Sequence, residues 1–292
     1  MRLGIGLPTY LGNEIEPGGV LDWARRAEAA GFDAVAVHDR PHADTWDPIA
    51  TLAAVAAVTE RVRLATAVVL LPTRDEALLV KQAAVVDAVS GGRLDLGVGV
   101  GGRINDFELY GRPFAGRGRE FERQLGRIDE LWRGAVETAQ AGTSLGPAPI
   151  QRPRPRLWVG GYAAASTDRA VRFGDGYIFG AVGIDTMTRR TPAITAAAAA
   201  AGRSDFPVAG LAYLLSSTDA AEIDEAERLL TRYYGSLHKP FRELVSIGDD
   251  EAIAGMIGAY RAAGLDVLHL IPVARSADQI DRIARVVGAA LA

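Results

Sequence analysis

A (β/α)₈ barrel is the fold the sequence predicts, and three observations carry it. Eight short apolar strand patterns run along the chain, helical patterns alternate with them, and one phrase recurs in which a helix ends at Gly and a strand begins almost at once. The phrase is clearest at Ala29-Ala30-Gly31-Phe32-Asp33-Ala34-Val35 and again at Ala262-Ala263-Gly264-Leu265-Asp266-Val267-Leu268. Weaker copies stand at Gly91-Gly92-Arg93-Leu94 and Phe173-Gly174-Asp175-Gly176. Glycine accepts the left-handed conformation that closes a helix, and a short turn then feeds a strand buried on both faces. A doubly wound sheet usually has fewer strands per domain, so the count favours the barrel.

The predicted strands are Arg2–Leu7, Ala34–His38, Arg63–Leu71, Leu94–Val100, Leu157–Gly160, Tyr177–Phe179, Val208–Leu215 and Val267–Ile271. Between them the helical patterns fall at Val20–Ala30, Pro48–Thr59, Glu76–Ser90, Arg119–Trp132, Ser166–Phe173 and Thr186–Ala201, then at Ala220–Tyr233 with Asp250–Ala263, and finally at Ala277–Leu291. Asp47-Pro48 is a helix-start signal, Asp as cap and Pro in the first turn. Gly134–Arg156 is too rich in proline for a helix and reads as a long insertion before strand five. The alternation resumes after it, so residues 1–292 read as one domain. Trp23 and Trp132 sit in helical patterns and are assigned to packing.

With 292 residues, 49% of them hydrophobic, the chain can bury a large core. A net charge of -4 and a pI near 5.7 argue against a dedicated nucleic-acid binder and point to small-molecule partners. The sequence holds no cysteine, which excludes disulfides, thiolate catalysis and thiolate metal sites. MRLGIGLPTY has no apolar run long enough for a signal peptide, and no stretch approaches a membrane span. The expectation is a soluble, cytoplasmic protein.

In a barrel the chemistry belongs to the loops after the strands. The loop leaving strand two, His38-Asp39-Arg40-Pro41-His42-Ala43-Asp44, crowds imidazole, carboxylate and guanidinium together, which suits proton transfer and binding of an anionic heterocycle. His38, Asp39, Arg40 and His42 are therefore the candidate catalytic residues, Asp39 foremost; a solvated turn with a capping Asp is the structural alternative. Gly97-Val98-Gly99-Val100-Gly101-Gly102 formally matches GxGxxG, but it follows the fourth strand rather than opening a first βαβ unit. Its glycines equally allow a flat ring to approach the backbone. Gly160-Gly161 runs into Tyr162-Ala163-Ala164-Ala165 and then a helix, offering main-chain N–H groups and a dipole end to an anion; ordinary capping by Ser166 or Thr167 is the alternative.

Taken together, Gly31-Phe32-Asp33 with Asp39, Asp47-Pro48, Thr59-Glu60-Arg61-Val62-Arg63-Leu64-Ala65-Thr66, Leu71-Pro72, Ser90-Gly91-Gly92-Arg93-Leu94, Gly97-Val98-Gly99 and Gly174-Asp175-Gly176 resemble the bacterial luciferase-like superfamily. The resemblance is strongest to its oxidoreductases that use the deazaflavin coenzyme F420. It implies a TIM barrel whose cofactor ring lies near the ends of strands two to four, against Leu7, Ala67, Val68, Gly97, Val98 and Gly99. The cofactor's phosphate would lie on the turn Gly160, Gly161, Tyr162, Ala163, Ala164 and Ala165. It further implies a non-prolyl cis peptide at Ala67–Val68 and a homodimer formed through the helices after strands two and three.

Two departures set this chain apart. Arg40 stands where the family frequently has His, and Gly102 where some deazaflavin dehydrogenases have an acid. The leading expectation is hydride transfer with F420 on a small organic substrate, with FMN-dependent monooxygenation as the alternative. A metal-dependent hydrolase built from His38, His42 and Asp44, with His269 as an optional addition, is a further reading, although these residues lack a standard ligand spacing and no metal is expected. A non-catalytic cofactor-binding barrel is the last. The loops Pro8–Gly19, Arg103–Gly118 and Ser236–Val245 would set substrate choice and hold no interpretable motif.

Overall fold

Eight parallel strands close into a barrel in the computed structural model, which describes residues 1–16, 18–42, 44–134, 145–235 and 238–291. In chain order the elements begin β1 (Arg2–Gly6), α1 (Gly19–Ala29), β2 (Ala34–Val37), α2 (Pro48–Ala56), β3 (Arg63–Thr66), β4 (Val69–Leu70), α3 (Glu76–Val89) and β5 (Leu94–Gly99). There follow α4 (Ile104–Leu109), α5 (Arg117–Trp132), β6 (Arg156–Gly160), α6 (Ala165–Phe173), β7 (Gly176–Ile178), α7 (Ile184–Ala200) and β8 (Val208–Ser216). The chain ends with α8 (Ala220–Tyr234), α9 (His238–Arg242), β9 (Val245–Gly248), α10 (Asp250–Ala262), β10 (Val267–Pro272) and α11 (Asp278–Leu291). The ring runs β1-β2-β3-β5-β6-β7-β8-β10, and β10 closes it by pairing with both β8 and β1.

The predicted third strand is split: β3 and β4 are separate segments, and between them the Ala67–Val68 peptide bond is cis. Three further departures are short elements the sequence did not announce. These are α4, α9 and β9, the last of which pairs only with the C-terminal half of β8.

Alternation along each strand sorts the core into two layers. Val35, Val37, Leu64, Leu96, Val98, Leu157 and Val159 pack outward with the helices, where Trp23 also lies. Ala36, Ala65, Ala67, Trp158, Ile178, Ala209, Leu211 and Tyr213 fill the lumen. Leu7 belongs to the outward layer.

The repeated phrase has a double cause. Gly31 and Gly264 take φ of 87° and 81°, the left-handed turn the pattern demands. The Asp two residues later then closes a two-bond ring with the start of the neighbouring strand. Asp33 donates its N–H to the Leu3 carbonyl (2.9 Å) and accepts the Leu3 N–H on its carboxylate (2.7 Å). Asp266 does the same with Val208 at 2.8 Å in both directions, and Asp175, which follows Gly174 directly, does so with Leu157 at 2.6 and 2.8 Å. In the weaker copy Gly174 is extended rather than left-handed, with φ of -90°, and an added Cβ there would meet the Ala170 carbonyl at 3.0 Å.

Of the insertion before β6, residues 135–144 lie outside those described. The remainder is tied to the flank of α3 and β5. Gln151 donates through its main chain and its amide to the buried Asp87 (2.9 and 2.7 Å) and through the amide to the Leu94 carbonyl (2.7 Å), and Lys81 reaches the Gly146 carbonyl (2.8 Å). A buried carboxylate is tolerable only when so engaged.

Candidate functional site

The carboxyl ends of the strands open on a mouth where the four residues of the strand-two loop take four different directions. His38 turns into the lumen, buried, with Nε2 3.2 Å from the Tyr213 hydroxyl. Burial, and secondarily His269 below it, pulls its pKa down to about 4, so the ring is neutral near pH 7. Asp39 points the other way. Its Oδ2 accepts from the Leu70 N–H and from Arg74 Nε, and its Oδ1 from Arg74 Nη2, all at 3.0 Å. Burial pushes the carboxyl up from its ordinary range and Arg74 pulls it back. Arg74 also holds Asp47 at 2.8 Å, whose other oxygen caps α2 through the N–H groups of Ile49 and Ala50.

Arg40 is buried under α8, donating to the Tyr233 carbonyl, with its guanidinium 4.6 Å from the Tyr233 ring centre. His42 is exposed, and its main-chain N–H is held by Asp106 at 3.0 Å. In the chain Asp39 lies between His38 and Arg40, and adjacency alone would make them its partners. The structure corrects this, because successive residues leaving a strand alternate in direction and the partner is Arg74. No sequence signal marked Arg74, which reaches Asp39 from 35 residues away.

The metal-ligand reading needed His38, His42 and Asp44 together, with His269 as an optional addition. They are spread from rim to lumen, and among the described residues no group of three His, Cys, Asp or Glu is placed to hold a metal ion.

Gly97 and Gly99 are glycines because of the neighbouring strand. A Cβ on Gly97 would run into the Thr66 carbonyl, and one on Gly99 would lie 2.7 Å from the Val68 side chain. Thr66 reinforces the crossing, its hydroxyl donating to the Gly97 carbonyl (2.7 Å) and accepting its N–H (2.8 Å). What the glycines admit is therefore the Ala67–Val68 bulge. Val98 and Leu7 send their side chains outward into the helix layer, while Ala67 and Val68 face inward.

At β6, Gly160-Gly161 leads into α6 with Tyr162, Ala163, Ala164 and Ala165 exposed. No side chain caps α6: Ser166 turns its hydroxyl back to the Ala163 carbonyl (2.6 Å) and toward the Tyr177 hydroxyl (3.1 Å), which excludes the capping alternative for Ser166. Arg190, from α7, fastens the turn through the Tyr162 carbonyl (3.1 Å), the Ser166 hydroxyl (3.3 Å) and the Tyr177 hydroxyl (3.1 Å). Small side chains, an uncapped helix start and a guanidinium behind them fit a phosphate-sized anion. Arg190 and Tyr177 were not legible as site residues, because each lies inside an ordinary helix or strand pattern.

Comparison with known proteins agrees with this geometry. The family model for luciferase-like monooxygenases matches residues 1–264. The chain belongs to the luciferase-like monooxygenase family. It is 33% identical over 254 residues to an F420-dependent glucose-6-phosphate dehydrogenase of Beutenbergia cavernae, an alignment spanning 81% of this chain and 74% of the relative. It is 30% identical over 135 residues to the oxygenase component of a flavin-dependent trigonelline monooxygenase of Acinetobacter baylyi, spanning 44% and 38% of the two chains. Among solved structures, the monooxygenase RslO1 of Streptomyces bottropensis superposes with a TM-score of 0.84 over all of both chains at 22% identity, a likeness of fold. The luciferase-like relatives are thus oxidoreductases of both F420 and flavin types, and that general function is the chain's own. No helix among the described residues is long and apolar enough to cross a membrane.

Proposed function

We propose that this protein is an F420-dependent oxidoreductase acting on a small organic substrate. The observation that carries the reading is the uncapped start of α6, where Gly160 through Ala165 form a cradle backed by Arg190. There the main-chain N–H groups would hold the cofactor's phosphate. The ring would rest against the Ala67–Val68 bulge at the ends of β2, β4 and β5. When bound, the deazaflavin supplies two-electron hydride exchange.

The chain's own residues do the rest. Asp39 and Arg74 fix the bulge through the Leu70 N–H. His38, neutral and bonded through Nε2 to Tyr213, is placed to take or give a proton at that nitrogen. Tyr10, Tyr213 and Tyr234 line the small void beside it. Support for F420 over FMN is the longer alignment with the F420-dependent relative, which spans 81% of the chain against 44% for the flavin-dependent one. Titrating the protein with each cofactor and following fluorescence quenching tests the choice. Tight binding of FMN with none of F420 reverses it, and binding of neither overturns the reading.

A further inference from the structure

Among the described residues no carboxylate is in ion-pair contact with the buried cation Arg40. The residue is 7% exposed, and among the described residues its Nε finds no acceptor and its guanidinium donates to the Tyr233 carbonyl. The acids around it are otherwise placed: Asp39 is paired with Arg74, Asp106 accepts the His42 N–H, and Asp44 is exposed at the rim. A second guanidinium, that of Arg103, sits 5.2 Å from the opposing Tyr234 ring and adds to the positive field. A guanidinium largely withdrawn from water with no carboxylate in contact, Asp106 acting on it only at a distance, is unfavourable, and a ligand that brings an anion to it relieves that cost.

Beside Arg40 lies a cavity of about 300 Å³, walled by Tyr10, Tyr233, Tyr234 and Asn105, with His42, Asp44 and Arg232 at its edges. Arg232 is balanced by Glu14. None of the turn Gly160–Ala165, the bulge Ala67–Val68 or the glycines of β5 lines this cavity, so the seat assigned to the cofactor leaves it open to a second molecule at the same mouth. Two tyrosine rings beside one cation, with the Tyr10 ring on the same cavity, suit a flat, unsaturated molecule with a charged end.

We propose that this cavity is the substrate site, and that it selects small aromatic carboxylates whose anionic end pairs with Arg40. The proposal rests on the oxidoreductase reading above and deepens it by naming the substrate class.

Calorimetric titration with benzoate and its neutral analogue benzamide tests the proposal, with and without saturating F420. The parent protein is expected to bind benzoate at least tenfold more tightly than benzamide, in the F420 complex as well as without it. Arg40→Gln is expected to erase the preference and Arg40→Lys to keep part of it. Equal binding of the two probes by the parent overturns the proposal, as does no measurable benzoate binding in the millimolar range. A preference that survives in folded Arg40→Gln overturns it too, and competition between benzoate and F420 would assign the cation to the cofactor instead. Should Arg40→Gln not fold, the parent comparison and Arg40→Lys still decide. F420 binding is read separately: a protein that binds F420 but treats the probes alike loses only this proposal, whereas one that prefers benzoate but binds neither F420 nor FMN loses the cofactor reading.

Discussion

Both carboxylate oxygens of Asp39 are taken by Arg74 and the Leu70 N–H, with its side chain 4% exposed, so the residue holds the β3–β4 bulge as well as standing at the mouth. Removing one member of a buried ion pair strands the other. Asp39→Asn is therefore expected to cost about 3 kcal/mol, the low end for such a pair because Arg74 keeps Asp47. Denaturant unfolding measures it; an unchanged midpoint with turnover abolished would return Asp39 to the chemical step. The lumen histidines set a pH dependence of their own. His38 and His269 are both pulled down to about 4 by burial, against an ordinary value of 6.5. Between those values the unfolded chain binds more protons than the folded one, so their contribution is complete above about 6.5 and is lost as pH falls toward 4. The loss is on the order of 1–2 kcal/mol per histidine near pH 5. Asp39, shifted upward, works with the opposite sign, which places the cleanest reading at the upper end of the window. Urea midpoints should fall in the parent as pH is lowered from 7 to 5 and fall less steeply in His269→Gln, where His38 alone remains, and identical profiles would remove His269 from the account.

The start of α6 gives a test at the scale of an element. Gly161 is a poor place for it, because an added Cβ would lie 2.8 Å from that of Ser166 and disturb the helix itself. Ala164 is exposed and stands at the uncapped N-terminus. A carboxylate there interacts favourably with the helix dipole, by roughly 0.3–1 kcal/mol, while repelling a phosphate. Ala164→Asp is thus expected to keep or raise the melting temperature and to weaken F420 binding at least tenfold; parental affinity for both F420 and FMN would remove the phosphate from this turn. The strands, and the helices that alternate with them, were legible because each is a local pattern, apolar alternation closed by a Gly turn. The Gly-x-Asp phrase was legible as punctuation, yet its second role, Asp33 ringing with Leu3 and Asp266 with Val208, was not, since the partner lies on another strand. The same holds for the site. Asp39, Arg40 and the α6 turn could be picked out by type and position, whereas Arg74, Arg190 and Tyr213 reach it from 35, 28 and 175 residues away from their partners Asp39, Tyr162 and His38. Gly97 and Gly99 were read toward a ligand, but the Thr66 carbonyl and Val68 account for them.

Over the whole molecule, the outer helices should each show water a polar face, and α3 does not. Leu78, Val85 and Val89 are 55%, 41% and 55% exposed and recur at the spacing of one helical face. The basic residue among them, Lys81, is folded onto the Gly146 carbonyl, and the insertion it holds adds exposed Leu145 and Ile150 to the same flank. The adjoining α2, although rich in apolar residues, exposes no large one. Its large residues Ile49, Leu52 and Val55 are buried, and it turns out only small side chains such as Ala50 and Ala54, over which a second helix can pass closely. A contiguous apolar patch of this kind on a monomer usually marks an interface. We propose that α3 and the insertion pair with the same face of a second copy, the self-complementary arrangement of a two-fold dimer. Light scattering at micromolar concentration should then give twice the 30.9 kDa chain mass. The double substitution Leu78→Glu with Val85→Glu should give the single mass, since it sets four like charges against one another across the axis, with the far-ultraviolet circular dichroism unchanged because both side chains are exposed. A parent that scatters as one chain, or a double variant that still pairs, would end the assignment of this face.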